Sequence, residues 1–185
     1  MTNKIASKTL GWLLFGGGIV GWFSSFTLTV DKIKLLEDPN YISSCNVNSI
    51  LACGNIVKTS QASIFGFPNS LIGVSSFPIL ALIGVFILLN GHVFKWMLQI
   101  IAIVGGLATV FVSWLAFQSI YVIEILCPYC IVVWGMTVPI FFLTTRDLLK
   151  ASRNSTLRML VPFTGFLTLG WFLVVATAIG LQFLI

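Results

Sequence analysis

Five long apolar runs dominate this sequence and limit what the chain can fold into. They cover Leu10 to Val30, Ile72 to Leu89, Trp96 to about Tyr121, Pro128 to about Leu143, and Leu160 to Ile185. A helix needs about 20 apolar residues to cross the hydrocarbon core of a bilayer, and only helices and closed barrels satisfy their backbone hydrogen bonds there. The runs therefore predict an all-α membrane protein: a four-helix transmembrane bundle followed by a fifth transmembrane helix.

Composition agrees with this class, because only 8% of the 185 residues are charged and 58% are hydrophobic. A soluble domain carries about 25% charged residues. The net charge of +5 does not indicate a nucleic-acid partner, because the basic residues are thinly spread and gather only beside apolar segments. The expected partner of this surface is the lipid bilayer, with no nucleic acid.

The first apolar run is predicted to be a retained membrane anchor. A secretory signal peptide, the alternative, has an apolar stretch of about 7–15 residues and a cleavage site with small residues. The run from Leu10 to Val30 is longer, at 21 residues, and no such site follows it.

The basic residues predict which end of each helix faces inside. If the N-terminus is inside, the inner segments carry seven basic residues and the outer segments carry three. Loops on the cytoplasmic side of membrane proteins are enriched in Lys and Arg. The inner set is Lys4, Lys8, Lys95, Arg146, Lys150, Arg153 and Arg158, and the outer set is Lys32, Lys34 and Lys58. The segment from Asp31 to Ser70 and the start of the fourth run are therefore predicted to face outside, with all four cysteines.

The four cysteines form two pairs, Cys45 with Cys53 and Cys127 with Cys130. In the second pair, Pro128 suits the first turn of a helix, so the fourth helix is predicted to begin at the cysteines with both thiols on one face. The positive end of the helix dipole stabilises a thiolate, so at least one of these thiols should be acidic and reactive. The C-x-x-C pair is therefore predicted to be redox-active.

Other roles for the cysteines stay open at this point. A disulfide across three residues stabilises weakly, which argues against a purely structural bond between Cys127 and Cys130. Cys45 and Cys53 are eight residues apart and could form a surface staple. A zinc site with four thiolates is a further alternative. It would lie at the bilayer boundary, and His92, the only histidine, is expected on the opposite side. No metal is predicted.

The order of these motifs resembles the vitamin K epoxide reductase family in its bacterial form. An apolar run precedes the loop with the first cysteine pair, two further runs follow, and a C-x-x-C opens the fourth run. The segment QASIFGFPNSLIG (61–73) is similar to that family, as is Cys53-Gly54 before it. The resemblance covers roughly residues 10 to 145. It implies a catalytic core at 1–145 with an outer loop at 31–70, followed by a basic inner loop and the fifth helix at 146–185.

The resemblance implies a quinone-dependent thiol oxidoreductase that forms disulfides outside the cytoplasm. Electrons would pass from a thioredoxin-fold protein to Cys45 and Cys53, then to Cys127 and Cys130, and finally to menaquinone or ubiquinone. By position, Cys130 matches the cysteine beside the quinone and Cys127 the one that exchanges with the loop. The partner is expected to be a separate protein like a periplasmic oxidant, because both cysteine pairs are already assigned and nothing follows the fifth run. The implied location is a bacterial inner membrane, with the cysteines on the periplasmic or extracellular side.

The same resemblance implies residues that hold the quinone. Asn69 matches the side chain that donates a hydrogen bond to a quinone carbonyl, and Thr59 falls where the family usually has a serine. Trp134 stands where vertebrate members have a tyrosine, which exchanges a phenol for an indole N–H. Phe65 is one of several aromatic residues predicted to line the apolar pocket.

Two other functions remain as alternatives. The chain could reduce vitamin K epoxide or a quinone with electrons from external thiols. It could also be a membrane protein without enzymatic activity that uses its cysteines for structural disulfides or a zinc site.

Overall fold

The computed structural model describes residues 6–38, 40–43, 45–46, 51–90, 93–152 and 154–183, so Lys4, His92 and Arg153 lie outside the described residues. The helices, in chain order, are α1 (Lys8–Glu37), α2 (Cys53–Lys58), α3 (Ser70–Asn90), α4 (Lys95–Phe117), α5 (Pro128–Lys150), α6 (Ser155–Arg158) and α7 (Val161–Phe183). A 3₁₀ turn, Ser60–Ser63, follows α2, and a π-helical turn, Gln118–Val122, extends α4.

The five long helical segments confirm the predicted class. Within the described part of the chain, five segments are long and apolar enough to cross a membrane, and no β-strand is present. α5 contacts α1, α4 and α7, which places α7 on the outside of a bundle formed by α1, α3, α4 and α5. The protein is an all-α membrane protein with a four-helix bundle and a fifth transmembrane helix.

The tightest helix pair is α1 with α3, and small residues make it possible. A Cβ atom on Gly18 would lie 2.8 Å from the backbone N of Ala81 and 2.8 Å from the carbonyl of Phe77. Gly84 of α3 approaches the backbone of α1 in the same way. Glycines let transmembrane helix backbones approach closely, because packing drives their association in lipid. In contrast, α3 and α4 make few contacts between their described residues.

At one end of the bundle, hydrogen bonds join the start of α1 to the end of α5. The Ser7 side chain caps α1 by accepting a hydrogen bond from Leu10 N at 3.2 Å, and Ser7 N donates to Asp147 Oδ2 at 2.7 Å. The start of α1 therefore lies beside the end of α5, and Lys8 and Lys150 share this end of the bundle. The C-x-x-C pair precedes or opens α5 and so lies at the opposite end.

Two helices are longer than their apolar runs predicted. α1 continues beyond Val30 to Glu37, so the loop predicted at 31–70 begins later. Its buried stripe continues through Leu28 and Leu35, seven residues apart, while the polar side chains between them do not interrupt the helix. α5 continues beyond Leu143 to Lys150. Hydropathy marks the part of a helix that lies in lipid, and these helices extend past it.

Candidate functional site

The C-x-x-C motif lies at the N-terminus of α5, as predicted. Cys127 is the N-cap residue and Pro128 occupies the first turn. The backbone N–H of Cys130 donates to Cys127 Sγ at 3.4 Å. Both thiols are free, with Cys127 buried and Cys130 half-buried.

A short β-bridge holds the cysteine loop against the start of α5. Leu51 pairs with Leu126 in a parallel bridge, and Ala52 N donates to Leu126 O at 3.0 Å. The bridge ends two residues before Cys53 on one side and one residue before Cys127 on the other. Residues far apart in the sequence are thereby held in a fixed register.

The connection between α4 and α5 makes this register possible. The π-helical turn at Gln118–Val122 ends α4, and Ser119 Oγ donates to Ile125 O at 2.5 Å. Glu124 then adopts a left-handed backbone with φ of 55°. Gln182 Nε2 of α7 donates to Glu124 Oε1 at 3.2 Å, so α7 supports this connection.

The four cysteines form a continuous series. Cys45 and Cys53 are joined in a disulfide, with Cα atoms 5.6 Å apart. Cys53 Sγ lies 3.1 Å from Cys127 Sγ. The sequence did not reveal which of the two loop cysteines lies next to Cys127. In the structure it is Cys53. Because Cys45 and Cys53 are bonded to each other, the sulfurs are not arranged as a four-thiolate zinc site.

An apolar cavity of about 470 Å³ adjoins this series of sulfurs. Its walls come mainly from α3, α4 and α5, and Cys130 and Trp134 form part of the lining. Ile79 of α3 and Val104 of α4 also line it, yet 58% and 55% of their surfaces are exposed. The cavity therefore opens sideways between α3 and α4, on the apolar surface of the bundle.

Comparison with known proteins fits this geometry. A profile of the vitamin K epoxide reductase family matches residues 12–145, which contain all four cysteines and the cavity. The chain belongs to the vitamin K epoxide reductase family. No curated protein matches it. Members of the family are generally oxidoreductases associated with quinones, so a redox role for this membrane protein agrees with its family.

The environment of Cys127 favours its thiolate. The Cys130 side chain donates to Cys127 Sγ and lowers the pKa of Cys127, and the backbone N–H groups of Cys130 and Tyr129 lower it further. Burial and the negative charge of Asp31 oppose this shift, but the pKa remains below its usual value. A stabilised thiolate can attack a disulfide and is also a good leaving group, so the lowered pKa suits Cys127 to exchange with Cys53 in either direction.

The residues predicted to hold a quinone only partly line the cavity. Thr59, Asn69 and Trp134 border it, but Phe65 does not. Phe65 lies in the turn before α3 with 55% of its surface exposed, and its ring is centred 5.6 Å from that of Phe111, which does line the cavity. Phe65 therefore lies beside the cavity and outside its described wall, and its predicted contact with a quinone stays a prediction.

The predicted polar contacts of Asn69 and Thr59 are directed into their own loop. Asn69 Nδ2 donates to Gln61 O at 2.7 Å, and Asn69 Oδ1 accepts from Ile64 N at 3.2 Å. Thr59 Oγ1 donates to Ile56 O at 2.7 Å. The Asn69 amide keeps a second N–H, whereas the single hydroxyl proton of Thr59 is already engaged. Asn69 therefore organises the turn beside the cavity, and Thr59 ends α2.

Three residues of this region, Asp31, Ser43 and Gln118, were not among the candidate residues predicted from the sequence. Gln118 is an amide in the cavity wall. Asp31 is buried, with Ser43 Oγ donating to its Oδ2 and Cys45 Sγ 3.8 Å from the same oxygen. In the sequence, Asp31 could have been found as an acidic residue at the end of an apolar run, because ionisable groups at such positions are costly and often functional. The signal for Gln118 was a lone amide between apolar residues.

Proposed function

We propose that this chain is a quinone-dependent thiol oxidoreductase that forms disulfides. The observation that carries this proposal is the 3.1 Å separation of Cys53 Sγ and Cys127 Sγ, combined with the position of Cys130 on the cavity. Together they support an uninterrupted path for two electrons from the reduced loop cysteines to an apolar binding site.

The electron path consists of two thiol–disulfide exchanges. Starting from a reduced loop and an oxidised C-x-x-C, the Cys53 thiolate attacks Cys127, and Cys130 leaves. Cys45 then attacks Cys53, and Cys127 leaves as the thiolate that its low pKa favours. The loop ends as a disulfide and the C-x-x-C as two thiols, which is the arrangement described above.

The cavity suits a quinone in volume and chemistry. A volume of about 470 Å³ lies within the range of about 300–1,000 Å³ that is typical of small-molecule sites. Its lining is apolar apart from a few polar side chains, among them the amides of Asn69 and Gln118. A quinone bound there would accept two electrons and two protons. Cys130 is the cysteine that faces it, and menaquinone or ubiquinone is the expected class.

The electron donor we propose is a thioredoxin-fold protein that meets the loop. Of the two sulfurs in the loop disulfide, Cys45 is 7% exposed and Cys53 is fully buried. Attack on Cys45 by a partner thiolate releases Cys53 next to Cys127, so the electrons continue toward the cavity. The encounter should be transient, since a shuttle that binds tightly does not turn over.

The proposed orientation has the cysteine loop on the periplasmic or extracellular side of a bacterial inner membrane. The support is electrostatic, because Lys8 and Lys150 share the end of the bundle opposite the cysteines. Within this arrangement residues 1–145 would form the catalytic core, and 146–185 would add the fifth helix.

The decisive experiment mixes the fully reduced protein anaerobically with a short-chain ubiquinone and measures quinol by its absorbance. We expect stoichiometric quinol formation that is lost in Cys130→Ala. Cys45→Ala is the matched control, because it removes a cysteine from the loop and leaves the first oxidation of the C-x-x-C intact. Absence of quinol formation in the wild type would overturn the proposal. Turnover of vitamin K epoxide in place of the quinone would favour the alternative activity.

A further inference from the structure

We propose that Asp31 is the acid–base group of the loop exchange, which accepts the proton of Cys45 when this thiol attacks and returns it when Cys45 leaves. The inference rests on the proposed function for the direction of electron flow. It assigns a catalytic role to a residue outside both cysteine pairs.

The geometry gives Asp31 two routes to the reacting sulfur. Asp31 Oδ2 lies 3.8 Å from Cys45 Sγ, within reach of a thiol hydrogen bond. Ser43 Oγ lies 3.2 Å from Cys45 Sγ and also donates to Asp31 Oδ2. A proton can therefore pass from the thiol to the carboxylate directly or through the hydroxyl group. All three side chains are buried, so the carboxylate is the base nearest to the Cys45 thiol.

The partners of Asp31 distinguish this carboxylate from a structural ion pair. Asp31 is 3% exposed, and its side-chain hydrogen bonds within the described residues come from the hydroxyl groups of Tyr41 and Ser43, with Cys45 Sγ 3.8 Å from Oδ2. Both hydroxyl groups carry an exchangeable proton, as Cys45 does once its bond to Cys53 is reduced, and none of the three is a cation. A buried carboxylate is costly without a compensating charge, so its presence beside an exchanging sulfur indicates a function in proton transfer.

Tyr41 connects the carboxylate with the outer surface. Its hydroxyl donates to Asp31 Oδ1 at 3.2 Å, and Tyr41 itself is only half-buried. Lys34 Nζ lies 5.2 Å from the centroid of the Tyr41 ring, so a positive charge lies beside the residue that links Asp31 to the surface. A proton taken up by Asp31 can therefore leave on the side of the loop, away from the cavity.

The Cys45 thiol gives its proton to Asp31 while its sulfur attacks Cys53, which is bonded to Cys127 in the mixed disulfide. The Cys45–Cys53 bond forms, the Cys53–Cys127 bond breaks, and its electron pair stays on Cys127 Sγ. No further oxidant or reductant is needed. In the reverse step Asp31 protonates Cys45 as Cys127 attacks Cys53.

Several titratable or charged groups surround this carboxylate and enter its pH dependence. Tyr41 and Cys45 face it from the loop, and Cys127 at the start of α5 lies close enough for the charge of Asp31 to act on its thiol. Lys32 on α1 is directed elsewhere, since its Nζ donates to Val57 O at 2.6 Å. Of these groups, Asp31 is the carboxylate in direct reach of Cys45 Sγ, at 3.8 Å.

The test follows disulfides in the full chain. Reduced protein is mixed with a short-chain ubiquinone, quenched with acid at intervals and alkylated, and non-reducing peptide mass spectrometry quantifies three bonds. These are Cys127–Cys130, Cys53–Cys127 and Cys45–Cys53, in their order of formation. The variants are Asp31→Asn, which keeps the shape of the side chain, and Asp31→Glu, which keeps the carboxylate. Asp38→Asn is the matched control, an exposed acid at the end of the same helix.

We expect Asp31→Asn to slow the Cys45–Cys53 bond on the order of 10²-fold at neutral pH, as removal of a general base does. The Cys53–Cys127 bond should accumulate, and Cys127–Cys130 should form at the wild-type rate. Asp31→Glu should recover most of the rate. The rate of Asp31→Asn should rise about tenfold per pH unit below the usual thiol pKa of about 8.5, because hydroxide then removes the proton. Asp38→Asn should remain within about twofold of the wild type.

A wild-type rate and pH profile in Asp31→Asn would overturn the inference, and so would an equal slowing at every pH, which indicates a structural defect. If Asp31→Asn does not fold, Asp31→Glu takes its place, because it keeps the carboxylate but moves it by one methylene, and it must change the rate of the Cys45–Cys53 bond while leaving that of Cys127–Cys130 unchanged; an unchanged rate of both bonds would overturn the inference. If quinone forms no Cys127–Cys130 bond in the wild type, the proposed function fails. Diamide, an oxidant that needs no binding site, then forms this bond, and the comparison of the variants proceeds unchanged.

Discussion

Cys53 Sγ lies 3.1 Å from Cys127 Sγ, although 74 residues separate the two cysteines in the chain. The loop reaches this position because Ala52 N donates to Leu126 O, which joins the residues that immediately precede both sulfurs. Cys53 is therefore the central sulfur of the proposed exchange, bonded to Cys45 and next to Cys127. The two loop cysteines should have different roles, and substitution can separate them.

Serine substitution of the two loop cysteines should give different trapped species. In Cys53→Ser, the Cys45 thiol can attack the disulfide of an oxidised thioredoxin-fold protein, and because Cys53 is absent to resolve the product, this mixed disulfide should accumulate. In Cys45→Ser, the bond between Cys53 and Cys127 cannot be resolved from the loop side and should accumulate within the chain. Non-reducing electrophoresis and peptide mass spectrometry distinguish the two products. The same partner adduct at equal yield in both variants would contradict these roles.

The low pKa of Cys127 should depend on Cys130. The Cys130 side chain is the largest cause of the lowered pKa, so Cys130→Ala should move the titration of Cys127 to higher pH. A lowered pKa means that the thiolate is present at lower pH and is lost only as the pH falls through that value. Ultraviolet absorbance of the thiolate in a Cys45→Ser/Cys53→Ser background measures the midpoint. An unchanged midpoint would leave the helix N-terminus as its cause.

The two amides that line the cavity should have separable effects. Gln118→Leu removes a donor from the cavity wall and should weaken quinone binding about 2- to 10-fold, equivalent to about 0.5–1.5 kcal/mol for one hydrogen bond. Asn69→Ala removes two contacts within the loop as well, so it should also lower thermal stability. Quinone titration and thermal unfolding in detergent measure the two effects. Equal stability of Asn69→Ala and the wild type would show that those loop contacts contribute little.

Close packing of α1 against α3 should make Gly18 sensitive to substitution. A Cβ there meets the backbone of α3 at 2.8 Å, so Gly18→Ala should destabilise the protein by about 1–3 kcal/mol, as overpacking does. Gly16→Ala is the matched control, because nothing lies within 4 Å of a Cβ at that position. Thermal unfolding in the same detergent compares the two. Equal melting temperatures would mean that the helices can separate at little cost.

The local features of the fold were accessible from the sequence. The five spans follow from the length of the apolar runs, and the start of α5 follows from Pro128 and the two cysteines around it. Both depend on residues close together in the chain. The predicted ends of α1 and α5 came too early in the chain. Hydropathy falls at the water interface, whereas the helical backbone hydrogen bonds continue beyond it.

The contacts of the site depended on long-range pairing that no local pattern encodes. The choice of Cys53 over Cys45 follows from the bridge between Leu51 and Leu126. The approach of Asp31 to Cys45 depends on how the loop returns to the end of α1. Sequence could predict the chemistry of the cysteines, but only the folded loop reveals which sulfur attacks and which carboxylate lies beside it.

The sideways opening between α3 and α4 determines the phase from which this cavity is filled. Ile79 and Val104, which line it, are exposed on the apolar surface of the bundle. A molecule that enters there comes from the hydrocarbon interior of the bilayer and never crosses water. The occupancy of the cavity then depends on the mole fraction of the ligand among the lipids. Saturation curves measured at different lipid-to-protein ratios should therefore coincide only when the ligand concentration is given as moles of ligand per mole of lipid.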